Sequence, residues 1–382
     1  MAMATATVKL SVIKRFLQLQ GVGVGNINTD TKGSNPNNKA IKGDECFDFA
    51  FANTSTTTSA SCHDDDEISN NDALPLVSLS RPSIPVTKIK PSQLIPTHLS
   101  PHIKHSYGEF YTTRKWLCFD SIIITQLMAA GFIPISTKYR LMPKLHKQRC
   151  VIHLQQDYLQ ANSFSSVFPS SSLHVPRSIR KKSKRYRLSI NTSFDEVVKG
   201  CHAQHGVNWL WPKIVKAFRE LHEATLTGSG TPTQLHHCHL PSTSSHPSLS
   251  SNKTKTIPIR LYSVELYNIE TNNLAAGELG YTVGSIYTSL TGFTSESSAG
   301  SIQLATLGKL LTSAGFSHWD LGTEFEYKQR LGAVMVERED FLRLLCRVRQ
   351  EAEDNDCYVL GISGGEYENY CTSNAKQIID NV

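Results

Sequence analysis

The sequence predicts an α+β fold, a sheet with helices packed on its faces, and three observations carry that prediction. Residues 259–269 alternate apolar and polar side chains cleanly, and the turn residues Glu270 to Asn273 lead into a second β-rich run at 275–293. Helical stripes flank this block, at 194–221 before it and at 299–348 after it. Their order along the chain is strand, two helices, hairpin, helix, strand, then strand and helix.

The chain opens with segments that cannot build a core. The first 29 residues hold Lys9, Lys14 and Arg15 and no acid, around an amphipathic stretch. That composition permits an organelle transit peptide and equally fits a frayed basic terminus of a cytoplasmic protein. Residues 26–95 are rich in Asn, Ser and Thr, carry the acidic run Asp64 to Glu67 and end in proline-punctuated pieces. Such a composition buries too little apolar surface to offset the entropy of ordering. Residues 1–95 are therefore expected to be a disordered leader. No run approaches the roughly 20 apolar residues of a membrane span, so no membrane partner is expected. Nine scattered cysteines without a Cys-x-x-Cys pair read as reduced thiols of an intracellular protein.

Order is expected from near Tyr107, within a small α+β domain at 96–160. Asp120 is placed to cap a helix through Ile122, Ile123, Leu127 and Met128, and Gly131 stops it. Phe132 to Ile135 leaves as an extended piece, and Cys150 to Leu154 reads as a strand. A larger domain should span 172–350. It begins with a basic run in which Arg177, Arg180, Lys181, Lys182, Lys184, Arg185 and Arg187 put seven cations into eleven residues. A net charge of +6 matters for polyanion binding only where it clusters like this. The run reads either as a phosphate-contacting surface or as a solvated helix face.

Arg187 to Asn191 follows as a strand, and Ser193 with Glu196 forms a capping box that opens a helix. Pro212 starts the next helix, with Trp211, Ile214, Val215, Phe218 and Leu221 on its buried face. Trp209, in the loop after Gly206, stands outside that stripe and is less readily explained as core. Residues 225–256 lack periodicity and read as an inserted loop. Its His236, His237, Cys238 and His239 suit either a metal or a polar loop, with Cys201, His202 and His205 as the only complement; no metal is expected. Glu265 shares a strand face with Ser263 and Tyr267. The hairpin beyond it is interrupted by Gly277, Gly280, Gly284 and Gly292, which mark either close helix packing or the approach of a ligand. A helix at 299–314, an apolar strand at 316–321 ending in Asp320, a strand at 331–336 and a last helix complete the domain, leaving 351–382 as a tail.

This arrangement is similar to acyltransferase folds of the N-acetyltransferase (GNAT) type. More specifically, His174-Val-Pro-Arg-Ser-Ile-Arg, Phe194-Asp-Glu-Val-Val-Lys-Gly-Cys201, Asn208-Trp-Leu, Ala217-Phe-Arg-Glu-Leu-His-Glu223, Ser263-Val-Glu-Leu-Tyr267, the glycine hairpin and Leu331-Gly-Ala…Arg338-Glu-Asp-Phe-Leu342 together resemble leucyl/phenylalanyl-tRNA–protein transferases. Coverage is good over 172–345 and weaker over 107–155. The resemblance implies a monomeric cytoplasmic aminoacyltransferase with its small N-terminal domain on a GNAT-like domain. It would take leucine or phenylalanine from charged tRNA and join it to acceptor proteins that begin with a basic residue, without metal or other cofactor. Asp320 is implied as a catalytic residue, with Glu265 and Glu278 as further candidates. His174, Arg177, Arg180, Lys181, Lys182, Lys184 and Arg185 are implied on the tRNA side. Trp209, Ser263, Gly277, Gly280 and Gly284 are implied around the aminoacyl end.

The departures are equally specific. Where bacterial members carry Gly-Glu-Ser-Met-Phe-Ser, this chain has Ser289 to Thr294, so the acceptor-side glutamate is Leu290. Where they carry Asp-Cys-Gln, it has Asp320, Leu321 and Gly322, so the glutamine assigned a proton relay is glycine. The tryptophan after Phe-Pro in their small domain is Ile135. Two other readings stand beside the transferase: a silent tRNA- or RNA-binding protein, and a GNAT enzyme with another donor, for which the Gly-rich pyrophosphate loop is missing.

Overall fold

The computed structural model describes residues 99, 103–113, 119–155, 172–234, 256–352, 359–360 and 374–381, all within one compact unit. Strands β1 (Ile103–Tyr107) and β2 (Phe110–Thr113) form an antiparallel ribbon. Helix α1 (Ser121–Ala129) starts as expected: the Asp120 carboxylate accepts the Ile122 N–H at 2.8 Å. It ends at Gly131, whose φ of +87° is open to glycine without strain. The chain then turns through bridges that pair Ile133 with Lys144 and Ser136 with Leu141, and enters β3 (Gln148–His153).

Helix α2 (Arg177–Lys182) runs through one 3-10 turn, Ser183–Arg185, into β4 (Tyr186–Ile190). Helices α3 (Phe194–His205) and α4 (Pro212–Leu226) follow. After them come β5 (Thr231–Gln234), β6 (Thr256–Asn268), β7 (Leu274–Val283) and β8 (Ile286–Thr294). Helix α5 (Ala299–Ser313) leads to β9 (His318–Asp320). Helix α6 (Glu326–Arg330), β10 (Val334–Glu337) and α7 (Arg338–Glu351) follow, and α8 (Ala375–Asn381) comes last among the described elements.

The architecture is α+β. The large sheet runs β10-β3-β9-β8-β7-β6-β4, with β5 pairing β6. Every pair is antiparallel except β8 with β9, which α5 connects as a crossover. The alternating block expected at 259–294 is the central meander β6–β7–β8. Strand β3 lies between β9 and β10, so residues ahead of 160 contribute to this same sheet. Adjacent residues of β7 reveal the two layers: Gly277 faces Val197 of α3, while Glu278 on the opposite face reaches Gln303 of α5. Helix α5 is buried on nearly all sides, between the sheet and a cover made by α2 and α8. Ala375, Ile378 and Ile379 of α8 are buried there, each isoleucine contributing about 1.5–3 kcal/mol if fully removed from water.

Four expectations need correction. The Ser193–Glu196 capping box does not form. Instead Glu265, from the neighbouring strand, accepts the N–H groups of Thr192 and Ser193 ahead of α3, and Glu196 pairs with Lys199. The inserted loop starts later than residue 225, because α4 continues to Leu226 and β5 adds an edge strand. The strand expected at 316–321 shortens to three residues, and α6 appears where no helix was expected. Cys150 and Cys201 are free and buried, but Cys346 is disulfide-bonded, so not every thiol is reduced. The leader 1–95, and His236, His237, Cys238 and His239 of the expected insertion, lie outside the described residues. No described helix is long and apolar enough to cross a membrane.

Candidate functional site

The basic run forms an ordered, exposed cationic surface. His174 is held beside the α6–β10 turn, its N–H donating to the Leu331 carbonyl at 2.8 Å. Gly332 is what lets this segment pass: a Cβ there would lie 1.9 Å from the Ser172 carbonyl oxygen. After Pro176, α2 turns Ile179 toward the core and leaves Arg177, Arg180, Lys181, Lys182, Lys184 and Arg185 in solvent. Three of these are engaged: Arg180 with Asp380 of α8 at 3.3 Å, Arg185 with Glu270 at 3.6 Å, and Lys182 with the Ser298 hydroxyl at 2.9 Å. Arg177, Lys181 and Lys184 have no side-chain hydrogen bond or ion pair to any described residue. A short exposed helix whose Arg177 and Lys181, with Lys184 just beyond it, have no side-chain partner among the described residues suits phosphate oxygens.

The three candidate acids are enclosed. Asp320 is 0% exposed and takes both arms of the Arg149 guanidinium, one at 3.0 Å and a second, shorter contact. It also accepts the Thr288 hydroxyl at 3.1 Å and the Gly322 N–H at 2.9 Å. Arg149 stacks over the Phe341 ring. Glu265 accepts the Ser263 hydroxyl at 2.6 Å besides its cap bonds; burial raises its carboxyl above the ordinary value, and these donors oppose the shift. Glu278 accepts Tyr287 and Ser289 hydroxyls at 2.9 Å each, and Gln303 at 3.3 Å. Burial pushes its carboxyl up to about 7. Asp320 and Glu265 each accept four hydrogen bonds and Glu278 accepts three, so these groups position their neighbours and have little left for a substrate.

The glycines and Trp209 are likewise occupied from within. A Cβ on Gly277 would meet Phe293 at 2.8 Å, one on Gly280 the Tyr287 hydroxyl at 2.1 Å, and one on Gly284 the Val348 carbonyl at 2.5 Å. The close approach that glycine spacing implied is made by the chain's own groups. Trp209 is 4% exposed, edge-on to Phe218, with its carbonyl accepting the Ser136 hydroxyl, so it is core after all. Ser263 is buried under Glu265. Leu290 is the extra residue of a β-bulge, since Leu279 faces Thr291 and Gly280 faces Ser289. His202 and His205 each place Nε2 on a backbone carbonyl, of Leu210 and Gly292, and no described group of three ligand-type residues could hold a metal.

Sequence reasoning missed Arg149, although an arginine inside Gln148–His153, an otherwise largely buried strand, signals a buried carboxylate partner. It also missed α8, which backs the cationic helix and gave no periodic signal in seven residues.

A family model described as leucyl/phenylalanyl-tRNA protein transferase matches residues 167–231 and 259–346. Proteins named leucyl/phenylalanyl-tRNA–protein transferase are similar to this chain. One from Shewanella baltica strain OS155 is 26% identical over 194 residues, covering 50% of this chain and 67% of its own. Another, from Shewanella sediminis, is 24% identical over 200 residues, 51% of this chain and 70% of its own. A third, from Proteus mirabilis, is 20% identical over 195 residues, 50% and 69%. The cationic helix and all three enclosed acids fall inside the matched residues; Arg149 and α8 fall outside.

Proposed function

From the match over residues 167–231 and 259–346 we propose that the chain belongs to the leucyl/phenylalanyl-tRNA–protein transferase family, a family of aminoacyltransferases, and that it transfers leucine or phenylalanine from charged tRNA to proteins beginning with Lys or Arg. The acceptor's free α-amine attacks the ester carbonyl. A C–N bond forms, the C–O bond to the tRNA ribose breaks, and the proton lost by the amine ends on the ribose oxygen. No other reactant is consumed. The added residue then marks the acceptor for degradation in the cytoplasm.

The observation that carries this reading is the exposed helix α2 inside the matched residues, with Arg177, Lys181 and Lys184 unpaired among the described residues. Asp320, Glu265 and Glu278 act in it as positioning groups, because each is enclosed and accepts at least three hydrogen bonds from the chain itself. Catalysis then rests on holding two reactants together and stabilising the oxyanion. That same enclosure, with Gly322 and Leu290 where the family resemblance puts side chains that act, favours one second reading: a tRNA-binding protein without transfer activity.

Transfer of radiolabelled leucine to an Arg-initiated peptide separates the two, with charged tRNA as donor and free leucine as control. Labelled peptide from charged tRNA alone is expected. Tight, salt-sensitive tRNA binding without any labelled peptide would select the second reading.

A further inference from the structure

Three buried ionisable side chains from separate elements converge on one turn, Asp320 to Thr323. Arg149 of β3 grips Asp320. Lys328 of α6 donates to the carbonyls of Leu321 and Thr323, each at 2.7 Å. His146, in the loop before β3, contacts the Thr323 hydroxyl at 3.2 Å. Gly322, with φ of +74°, donates to Asp320 and accepts the Cys150 N–H at 2.8 Å. The turn is over-determined. Leu321 and Asp320 are buried and Gly322 has no side chain, so Thr323 is its one side chain on the open side.

The direction of the Thr323 hydroxyl follows from donor chemistry. His146 Nδ1 lies 3.4 Å from Nη1 of Arg149. A guanidinium only donates, so Nδ1 is the lone-pair nitrogen and Nε2 carries the proton. His146 is therefore the donor to Thr323. Burial first, and then the charges of Lys144, Arg149, Lys328 and Arg338, hold the imidazole well below its ordinary value and keep it neutral. The Thr323 oxygen accepts this bond and has no other side-chain partner among the described residues, which leaves its own O–H available to donate. Accepting a hydrogen bond makes a hydroxyl a better donor. The charges of Lys144, Arg149, Lys328 and Arg338 act on the His146 ring behind this bond, with Arg149 paired to Asp320 and Lys144 to Glu109, while Glu324 follows Thr323 on the exposed side.

We propose that Thr323 is the hydrogen-bond donor to the carbonyl oxygen of the transferred acyl group, oriented by His146 as a positioning residue. This rests on the transferase reading above. As the amine nitrogen bonds to the carbonyl carbon, the carbonyl electron pair moves to oxygen, where Thr323 O–H receives it without giving up its proton. The pair returns when the C–O bond to the ribose breaks.

The test is steady-state transfer of leucine from charged tRNA to an Arg-initiated peptide by the full chain. Thr323→Val and Thr323→Ala are each expected to lower kcat about 100-fold with KM for tRNA unchanged, whereas Thr323→Ser stays within a few-fold of wild type. His146→Gln, which retains an N–H donor, should keep more of the rate than His146→Leu. Wild-type kcat in Thr323→Val or Thr323→Ala, a loss confined to KM, or an equal loss in Thr323→Ser overturns the assignment while leaving the transferase reading intact. No transfer by the unmodified chain overturns both.

Discussion

Replacing Glu278 by glutamine isolates one ionisation in the middle of the sheet. Its Oε1 accepts from Tyr287 and Ser289 and its Oε2 from Gln303, all of them neutral donors. Burial raises the carboxyl from 4.5 to about 7. Between those values the folded chain binds a proton that the unfolded chain has released, so stability falls as pH rises through that window. The cost is absent below pH 4.5 and complete above pH 7, where it reaches roughly 3 kcal/mol. Glutamine carries no charge, and Gln303 can turn its amide oxygen to meet the new N–H group. Urea unfolding of both proteins at pH 4.5 and pH 8 measures the effect, with every other titrating group cancelling in the difference. Glu278→Gln should gain up to about 3 kcal/mol relative to wild type between the two pH values. A difference that is the same at both would refute a raised carboxyl at this position.

Three further outcomes are expected. Arg149→Met strands a buried carboxylate and should destabilise by about 3–5 kcal/mol in urea unfolding, while Arg149→Met with Asp320→Leu recovers most of the loss; an additive double variant would deny the coupling. Changing Arg177, Lys181 and Lys184 together to Gln should lower the slope of log tRNA affinity against log salt by about 2–3, at unchanged melting temperature; an unchanged slope would remove α2 from the interface. Gly280→Ala must displace Tyr287 and should cost at least about 2 kcal/mol, read by denaturant midpoint.

Local chemistry made part of this fold readable. Asp120 caps α1 and Pro212 starts α4 because both signals act within one turn of chain. The β6–β7–β8 meander was legible because alternation with period two is set by its two packed faces. What stayed hidden depends on distant partners. Ser193 looked like a reciprocal cap with Glu196, yet the acid that serves α3 comes from Glu265, some seventy positions later. Trp209 lies off the helical stripe but is enclosed by Phe218 and the segment around Ser136. Within the candidate site the cluster of cations at 177–187 was evident from charge density alone, but the helix that carries part of it was not. The enclosure of Asp320, and the convergence of His146, Arg149 and Lys328 on its turn, were not, since no local pattern joins residues from three elements.

The place of β3 between β9 and β10 has a consequence for synthesis. Arg149 and Asp320 are 171 positions apart, so a strand made early waits for partners made late. At roughly 5–20 residues per second the wait on the ribosome is on the order of 10–30 s. During it, the β3 edge and the Arg149 cation are without their native partners. Cells that make this protein must shelter that strand or tolerate its exposure. A chain stopped short of β9 would present an unpaired edge, the form in which β-rich chains find one another and aggregate.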